Sequence, residues 1–418
     1  MSLPFFSVVI PTKNRSFLVG DAVRSVLRQT FPEFEVVVCD NDDTDATTRI
    51  IGEIKDGRLR HVRTGGLTMP DNWERAVRAA RGEYICVLED KQVFKRRALE
   101  RIHREIQQSG ARSVRWITDI YNDLGAVPSI KQLPEAGPAR IIAVEEILRA
   151  FTEGSMWDAA RMMPVGHFSA VQRRLAEEIC RGPLGRLCAP ISPDFTMAFQ
   201  QLACGEAVLF IEAGLVVTSV QHSTGRSFMM KTGLGRQFTR ELGGRDSIYY
   251  THVPIKVPMV EGSIYNDYLA VQQAWGGKLA KFPLNWTAYF VECYRSILKT
   301  KKEGVSMAVE EQAWKSALAK QPAPVQRAVC EELNRDKPLW VQNAQARLKW
   351  LRRETGLLRV EHAVRNLSRR LRGSAKGELR KPFHSPLEYL EWTETQNPVA
   401  PAHVSAADAA AGSRPDPG

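Results

Sequence analysis

The sequence predicts an α/β fold in which a doubly wound, mostly parallel sheet is followed by a helical C-terminal region. Short apolar runs alternate with amphipathic helical patterns in the first part of the chain, as they do in such sheets. Beyond about residue 230 this alternation gives way to long helical patterns that contain tryptophan. The chain has 418 residues, more than one ordinary domain holds. We therefore expect a sheet domain at 1–230, a helical region at 231–394 and a disordered tail at 395–418.

The first predicted unit is a β-α-β arrangement. Residues 6–10 and 35–39 are short apolar runs rich in valine, which is typical of buried parallel strands. Between them, residues 17–29 form one apolar helical stripe, which consists of Leu18, Ala22, Val26 and Leu27. The crossover that joins the two strands is expected to be right-handed.

The elements that follow keep the same alternation. The pattern predicts two helices, a buried strand and a third helix, at 44–54, 72–80, 84–88 and from about Arg96 onward. Parallel strands end at the same edge of a sheet, so the polar clusters after Ile10, Cys39 and Leu88 should converge there. In the C-terminal region the helical patterns cover residues 267–298, 305–333 and 341–371.

Composition favours a globular cytoplasmic protein. Hydrophobic residues make up 44% of the chain and charged residues 25%. The sequence has no run of roughly 18 apolar residues that could span a bilayer, and its start lacks the features of a signal peptide. The seven cysteines are scattered and never form a C-x-x-C pair, which argues against a disulfide framework or a zinc site. The tail is rich in alanine, proline, serine and glycine, which predicts disorder.

The formal net charge of +11 indicates an acidic partner, such as nucleotide phosphates or anionic lipid. Nucleic acid is disfavoured, because no arginine and aromatic constellation of a nucleic-acid module is present. Residues 347–381 hold twelve Lys or Arg against three Glu, with apolar residues at helical spacing. This basic amphipathic helix either makes a peripheral contact with an anionic membrane or packs on the first domain, and the second alternative is slightly preferred.

Two polar clusters follow the first two predicted strands. The first, residues 11–15, reads Pro-Thr-Lys-Asn-Arg and offers a hydroxyl, an amide and cations to a base and a diphosphate. It could equally be a turn that caps the next helix. The second, residues 39–45, contains Asp40, which could accept a hydrogen bond from the imide of uracil. A helix N-cap explains Asp43 to Asp45 better than it explains Asp40.

Three segments resemble the successive sequence blocks of the family 2 glycosyltransferases, which are inverting enzymes of the A-type (GT-A) fold. They read FSVVIPTKNR, SVLRQTFPEFEVVVCDNDDTDAT and NWERAVRAARGEYICVLEDKQVFKRRALE. The resemblance covers about residues 5–105, with a weaker match at 166–217, and several linked blocks are more specific than one motif. It implies a GT-A-type, Rossmann-like sheet and a nucleotide-sugar donor. It also implies that the donor is held by Pro11, Thr12, Asn14, Arg15, Asp40, Asn41, Asn72, Glu89 and Asp90.

The family's D-x-D element, whose carboxylates touch the ribose and a divalent cation, is altered here. The stretch reads Glu89-Asp90-Lys91, and Lys91 stands where the metal-binding carboxylate is usual. A site with one carboxylate fewer, Asp90 being the remaining candidate ligand, should hold Mg²⁺ or Mn²⁺ more weakly. Lys91 could instead offer its ammonium to the phosphates, so that metal would be dispensable. The competing interpretation is a degenerate enzyme.

The resemblance also suggests a catalytic base. The segment at residues 191–198 resembles the place of the family's catalytic Asp, ahead of a helix and a final strand pair at 207–211 and 215–220, so we nominate Asp194. The alternative is a simple helix start, with Ser192 as N-cap and Pro193 at the first position. Two further candidates, His167 for the acceptor pocket and Arg226 for phosphate, are more simply explained as structural and surface residues.

These expectations combine into one function and one alternative. The chain is predicted to transfer a sugar, with inversion, from a UDP-sugar to a hydroxyl of a glycan or lipid-linked acceptor. The alternative is a catalytically inert nucleotide-sugar or glycan-binding scaffold of envelope polysaccharide assembly, which the altered triplet supports. Nucleotidyl transfer is disfavoured, since no Gly-rich phosphate loop follows the first strand.

Overall fold

The structure, a computed structural model, describes residues 3–124, 128–241, 250–335, 378–380 and 383–396. The strands in these ranges are β1 Phe6–Thr12, β2 Phe34–Asp40, β3 Leu59–Arg63, β4 Tyr84–Val87, β5 Gln92–Phe94, β6 Ser113–Asn122, β7 Ser129–Lys131, β8 Ala139–Ala143, β9 Ser169–Gln172, β10 Ala207–Ser219 and β11 Glu378–Arg380.

The helices of the sheet domain are α1 Ser16–Leu27, α2 Ala46–Glu53, α3 Met69–Ala79, α4 Ala98–Ser109, α5 Val144–Glu153, α6 Met156–Met162, α7 Arg173–Cys180 and α8 Pro193–Cys204, with a 3₁₀ turn at Gly166–Phe168. Those that follow are α9 Thr224–Met229, α10 Gly233–Glu241, α11 Val260–Trp275, α12 Gly277–Ala280, α13 Trp286–Lys302, α14 Ala308–Ala319, α15 Ala323–Arg335 and α16 Pro386–Gln396.

The strands form one mixed sheet with the order β11-β7-β6-β9-β4-β1-β2-β3, and β10 pairs with β5, β6 and β8. The neighbours β3, β2, β1 and β4 run parallel, as β6 and β10 do, whereas β9 is antiparallel to both β4 and β6. Strands β1, β2 and β4 are buried along their whole length, as expected for strands covered on both faces. The predicted α/β fold is confirmed, and β1, β2 and β4 end at one edge.

Three details of the predicted elements are wrong, and one is the helical pattern at 305–333, which forms two helices, α14 and α15, separated by residues 320–322. The expected final strand pair at 207–211 and 215–220 is a single strand, β10, whose register shifts around Gly214. A Cβ at Gly214 would lie 2.4 Å from Oδ1 of Asp119, so the glycine permits this close approach. The helical pattern predicted at 267–298 is broken after Trp275, because Gly276 and Gly277 adopt left-handed φ values of 58° and 49°.

The helices beyond residue 250 do not have a hydrophobic core of their own. One cluster of buried side chains runs from Phe151 on α5 and Phe199 on α8 to Tyr265 on α11 and Phe290 on α13. It therefore crosses the predicted boundary at residue 230, and the division into two domains stays a prediction. Farther along, α16 returns to the sheet, where Tyr389 belongs to a cluster that includes residues of β5, β6 and β10.

The C-terminal predictions fall mostly outside the described residues. The basic helix predicted at 347–381 and the last helical pattern at 341–371 lie there, except for Glu378–Arg380. Those three residues form a strand antiparallel to β7, so a helix is wrong for them. The tail predicted from residue 395 begins too early, because Thr395 and Gln396 belong to α16. Within the described ranges no helix is long and apolar enough to cross a membrane.

Candidate active site

A cleft of about 690 Å³ opens at the carboxyl ends of β1, β2 and β4, and we call it the donor cleft. Seven of the residues predicted to hold a nucleotide sugar line it, namely Pro11, Thr12, Arg15, Asn41, Asn72, Glu89 and Asp90. Its other walls come from α3, α9 and α10, through Met69, Trp73, Thr224, Leu234, Gln237, Phe238 and Glu241. The convergence predicted from the sequence is therefore present. The α10 wall was not predicted, since no motif marks it.

Asp90 is the most constrained carboxylate of the donor cleft. Its Oδ2 accepts a hydrogen bond of 2.8 Å from the hydroxyl of Thr12, and its Oδ1 accepts one of 3.1 Å from Arg15. Arg15 also donates to the hydroxyl of Thr224 at 2.9 Å, which ties the start of α9 to the sheet edge. Burial lowers the pKa of Arg15, but the neighbouring Asp90 outweighs it and the pKa is raised. The guanidinium is a fixed positive charge beside the cleft.

Lys91 and Glu89 form a second ion pair, with 2.8 Å between Nζ and Oε2. Burial opposes ionisation of Glu89, but the ammonium of Lys91 and the neighbouring His167 lower its pKa to about 2. Gln92 also donates to Glu89, at 3.2 Å. Glu89 is therefore ionised and already paired with a cation that belongs to the protein.

These residues do not fit a divalent cation. Both oxygens of Asp90 are engaged by Thr12 and Arg15, and Glu89 accepts from an ammonium, whereas Mg²⁺ and Mn²⁺ need several free oxygen ligands. In the part of the chain that the structure describes, no group of three or more His, Cys, Asp or Glu side chains could hold a metal ion. The arrangement does not support Asp90 as a metal ligand.

Two asparagines build the floor of the donor cleft. Asn41 donates to the carbonyl of Leu67 at 2.8 Å and accepts from its N–H at 2.9 Å, which fixes the loop before α3. Asn72 is 3% exposed and donates to the carbonyls of Thr12 and Cys39, both at 3.3 Å. It thereby clamps the ends of β1 and β2. These side chains shape the cleft mainly through the backbone that they hold.

Asp40 and Asn14 do not line any of the clefts near the site. The carboxylate of Asp40 is fully buried and accepts hydrogen bonds from Thr48, His61 and Arg63 at 2.9 to 3.0 Å. Burial raises its pKa, but these donors and the N–H of Asp42 outweigh that effect and lower it. Asn14 has a left-handed φ of 56° and exchanges two hydrogen bonds with Asp43. In this arrangement both residues brace loops, and their contact with a nucleoside stays a prediction.

Asp194 lies in a neighbouring cleft of about 620 Å³ that shares Met69, Trp73, Glu89, Thr224 and Phe238 with the donor cleft. The helix α8 begins at Pro193, as the sequence suggested, and Asp194 stands in its first turn. The Oδ2 of Asp194 lies 3.3 Å from Nδ1 of His167. A carboxylate beside an imidazole at the border of the donor cleft suits proton transfer.

Gly166 allows this pairing. A Cβ at this position would lie 3.1 Å from the ring of Trp73 and 3.2 Å from the Cα of Asp194. These distances are tighter than ordinary contacts, so only glycine lets the 3₁₀ turn approach α8 closely. The sequence contains this glycine next to His167, but nothing local to it indicates that α8 would be the neighbour.

Asp267 is a site residue that sequence reasoning missed. Its fully buried carboxylate accepts hydrogen bonds of 2.8 and 2.7 Å from the backbone N–H groups of Ile191 and Ser192, just before α8. Burial raises its pKa to about 7, and the nearby charge of Asp194 adds to that effect. Asp267 lies on α11, where its spacing indicated only a helix. The Ser192 side chain, by contrast, makes no capping hydrogen bond.

A third and larger cleft, about 1340 Å³, lies beyond Glu89 on the side of α11 and α13, and we call it the outer cleft. Lys91 and His167 line it. Arg226 lines it as well and pairs with Glu303 at 2.8 Å. The candidate site is thus a run of three adjacent clefts that meet at Glu89.

Comparison with known families addresses the first half of the chain. Residues 7–180 match the sequence profile described as Glycosyl transferase family 2. These residues are a family 2 glycosyltransferase domain. The parallel strands of this domain and its edge cleft confirm the predicted GT-A-type fold.

Individual relatives of this family 2 domain are distant. Glycosyltransferase GlyG of Streptococcus pneumoniae is 27% identical over 28% of this chain and 39% of its own length. The Escherichia coli UDP-Glc:alpha-D-GlcNAc-diphosphoundecaprenol beta-1,3-glucosyltransferase WfaP is 33% identical over 20% of this chain and 34% of its own. The chain thus spans about a third of the length of these relatives. A crystal structure of S. aureus TarS aligns over 76% of this chain and 92% of that chain, with 14% identity and a TM-score of 0.44.

Proposed function

We propose that this chain transfers a sugar from a UDP-sugar to a hydroxyl of a glycan or lipid-linked acceptor, with inversion at the anomeric carbon. The observation that carries the proposal is the adjacency of a donor cleft built on the family 2 sequence blocks and a second cleft that holds Asp194. Relatives named as glucosyltransferases that act on diphosphoundecaprenol-linked sugars support this acceptor class.

In the proposed reaction the nucleotide lies against Thr12, Asn41 and Asn72. The C–O bond between the anomeric carbon and the diphosphate breaks, and its electron pair leaves with the phosphate oxygen. The acceptor oxygen forms the new bond from the opposite face of the sugar. Asp194 takes the proton of that hydroxyl. Nδ1 of His167 lies 3.3 Å from Oδ2 of Asp194, near enough to stabilise the protonated carboxyl.

The charge on the departing diphosphate is countered by side chains of the protein. Arg15 and Lys91 are both nearly buried, and they border the donor and outer clefts respectively. Fixed cations in a partly dry cleft stabilise developing negative charge without reorganisation of the site. We therefore propose that transfer needs no divalent cation, in line with the lack of free oxygen ligands around Asp90.

The test is calorimetric titration of the purified chain with UDP and with GDP, in Mn²⁺ and in a chelator, repeated on Lys91→Asp. We expect UDP to bind without metal and binding to become metal-dependent in the variant, because the new carboxylate restores an oxygen ligand. Failure of both nucleotides to bind under any of these conditions would overturn the donor assignment. Nucleotide binding without release of UDP from any UDP-sugar would favour the inert scaffold, in which the Lys91–Glu89 pair replaces catalytic function.

A further inference from the structure

The outer cleft has features that the donor chemistry does not use. It begins at Glu89 and Lys91, where the donor cleft ends, and runs between α6, α9, α11 and α13. Its volume of about 1340 Å³ is roughly twice that of the donor cleft. His167 lines this cleft and does not line the donor cleft. The inference drawn here rests on the proposed function, since it identifies what this cleft receives.

Glu261 is the first of these features. It stands in the first turn of α11, is 4% exposed and lines the outer cleft. The hydroxyl of Ser296 donates a hydrogen bond to it, but its Oε2 has no hydrogen-bond partner among the residues that the structure describes. Buried polar atoms are nearly always paired with protein or solvent groups. A carboxyl oxygen without a protein partner, on a residue in the wall of an open cleft, is a position for a hydroxyl of a ligand or of water.

The charges that line the outer cleft balance. Apart from His167 there are four basic and four acidic side chains, namely Lys91, Arg226, Arg295 and Lys299 against Glu89, Glu261, Glu292 and Glu303. Three pairs lie within 3.1 Å, so opposite charges in the lining stand next to each other. Burial raises the pKa of Glu261 to about 7, so near neutral pH its carboxyl is partly protonated and the net charge of the lining is between zero and +1. Such a lining provides many hydrogen-bonding groups but little net attraction for a polyanion.

Trp157 supplies an apolar surface in the same cleft. Its side chain on α6 is 45% exposed, one of only a few large apolar side chains so exposed within the described ranges. A flat aromatic face next to hydrogen-bonding groups suits a ligand that has one apolar face and a polar rim. A pyranose ring has this character, because its axial C–H groups form an apolar face and its hydroxyls form the rim.

We propose that the outer cleft binds the acceptor as a neutral saccharide, with a sugar ring stacked on Trp157 and a ring hydroxyl hydrogen-bonded to Glu261. Both contacts place the saccharide on the His167 side of Glu89, from which a hydroxyl can approach Asp194. Trp157 and Glu261 are therefore specificity-determining residues for the acceptor. They have no part in holding the donor.

The test measures saccharide binding without any nucleotide. Saturation-transfer NMR is recorded on the full chain with neutral trisaccharides that end in glucose, galactose or N-acetylglucosamine, and with a glycerol-phosphate trimer as a polyanion. At least one neutral trisaccharide should bind, and the polyanion should not. No binding by any neutral trisaccharide, or binding by the glycerol-phosphate trimer alone, would overturn the proposal.

Substitutions test whether Trp157 and Glu261 bind the trisaccharide. Trp157→Ala and Glu261→Leu should each weaken binding of the trisaccharide about tenfold or more, whereas Glu261→Gln, which keeps a hydrogen-bonding group, should stay within about threefold of the parent. Matched controls are Phe17→Ala, an exposed aromatic residue of α1, and Glu310→Leu, a buried carboxylate paired with Lys231 outside the cleft. Equal losses in the controls, with melting temperatures unchanged, would refute the assignment.

Failure of the acceptor inference can be distinguished from failure of the proposed transferase function. If UDP fails to bind but the trisaccharide binds and depends on Trp157, the chain binds glycans and the transferase proposal fails alone. If UDP binds and is released from a UDP-sugar, while neutral saccharides do not bind, the acceptor inference fails alone.

Discussion

The carboxylate of Asp267 on α11 accepts a hydrogen bond of 2.7 Å from the backbone N–H of Ser192, the residue that precedes α8. A second bond, from the N–H of Ile191, completes the contact at 2.8 Å. The turn that carries Asp194 is therefore fixed by a side chain from the helical part of the chain. We therefore predict that Asp267 positions the nominated base.

Replacement of this residue tests that role. Asp267→Asn turns an NH₂ group toward one of the two N–H groups, which leaves that donor unpaired at a cost of about 1–3 kcal/mol. We expect kcat to fall about tenfold or more while the affinity for UDP, measured by calorimetry, stays within about twofold. A variant with lower melting temperature but unchanged kcat would show that Asp267 only stabilises the fold.

Asp194→Asn should separate binding from chemistry. The amide is close in size to the carboxylate but cannot take a proton, so kcat should fall about 100-fold or more. UDP binding should persist, because Asp194 does not line the donor cleft. The measurement compares release of UDP from a UDP-sugar with calorimetric binding of UDP. Asp158→Asn, in the first turn of α6, is a matched control that should retain activity.

Gly166→Ala should disturb the pairing of His167 with Asp194. The added methyl would meet Met197, Trp73 and the Cα of Asp194 at 2.9 to 3.2 Å, and the strain of such overpacking is typically about 1–3 kcal/mol. Both kcat and the melting temperature should decrease. The control is Gly52→Ala on α2, where an added Cβ meets nothing within 4 Å, and where alanine should stabilise the helix slightly. Equal effects of the two substitutions would contradict the close approach.

Ionisation of the buried Glu261 should lower the free energy of unfolding at high pH. Burial raises its pKa from 4.5 to about 7, so the folded state binds a proton that the unfolded state has already lost between these values. This contribution to the free energy of unfolding therefore falls as pH rises from about 4.5 to about 7, by at most about 3 kcal/mol. Glu261→Gln removes it. At pH 8 the variant should have a higher melting temperature than the parent, whereas at pH 4.5 the two should hardly differ. The same difference in melting temperature at both pH values would contradict the raised pKa.

The cleft at the carboxyl ends of β1, β2 and β4 could be predicted from the sequence, because short apolar strands and the polar residues after them are local signals. Thr12, Asn41, Asn72 and Asp90 converge as the strand order requires. The contacts that individual side chains make at this sheet edge were less predictable. The carboxylate of Asp40 accepts from two other elements, through Thr48 on α2 and through His61 and Arg63 on β3, a strand that the pattern did not indicate.

The surroundings of Asp194 and the outer cleft could not be predicted in the same way, since they depend on contacts between distant segments. Asp194 was found through resemblance, but its neighbour His167 and its support Asp267 lie 27 and 73 residues away along the chain. Nothing in the spacing of Glu261 or Trp157 distinguishes them from ordinary helical residues. Such groups become visible only when burial and packing are known.

The shared hydrophobic cluster also limits how the chain can be divided. Phe151 and Phe199, from the sheet domain, pack against Tyr265 and Tyr268 of α11 with ring centroids 5.0 to 5.3 Å apart. A fragment that stops at residue 230 would leave this aromatic surface open to water, and large exposed apolar patches promote aggregation. Recombinant production therefore requires the helices together with the sheet, and a chimera that takes its helices from another family member must replace the partners of both phenylalanines.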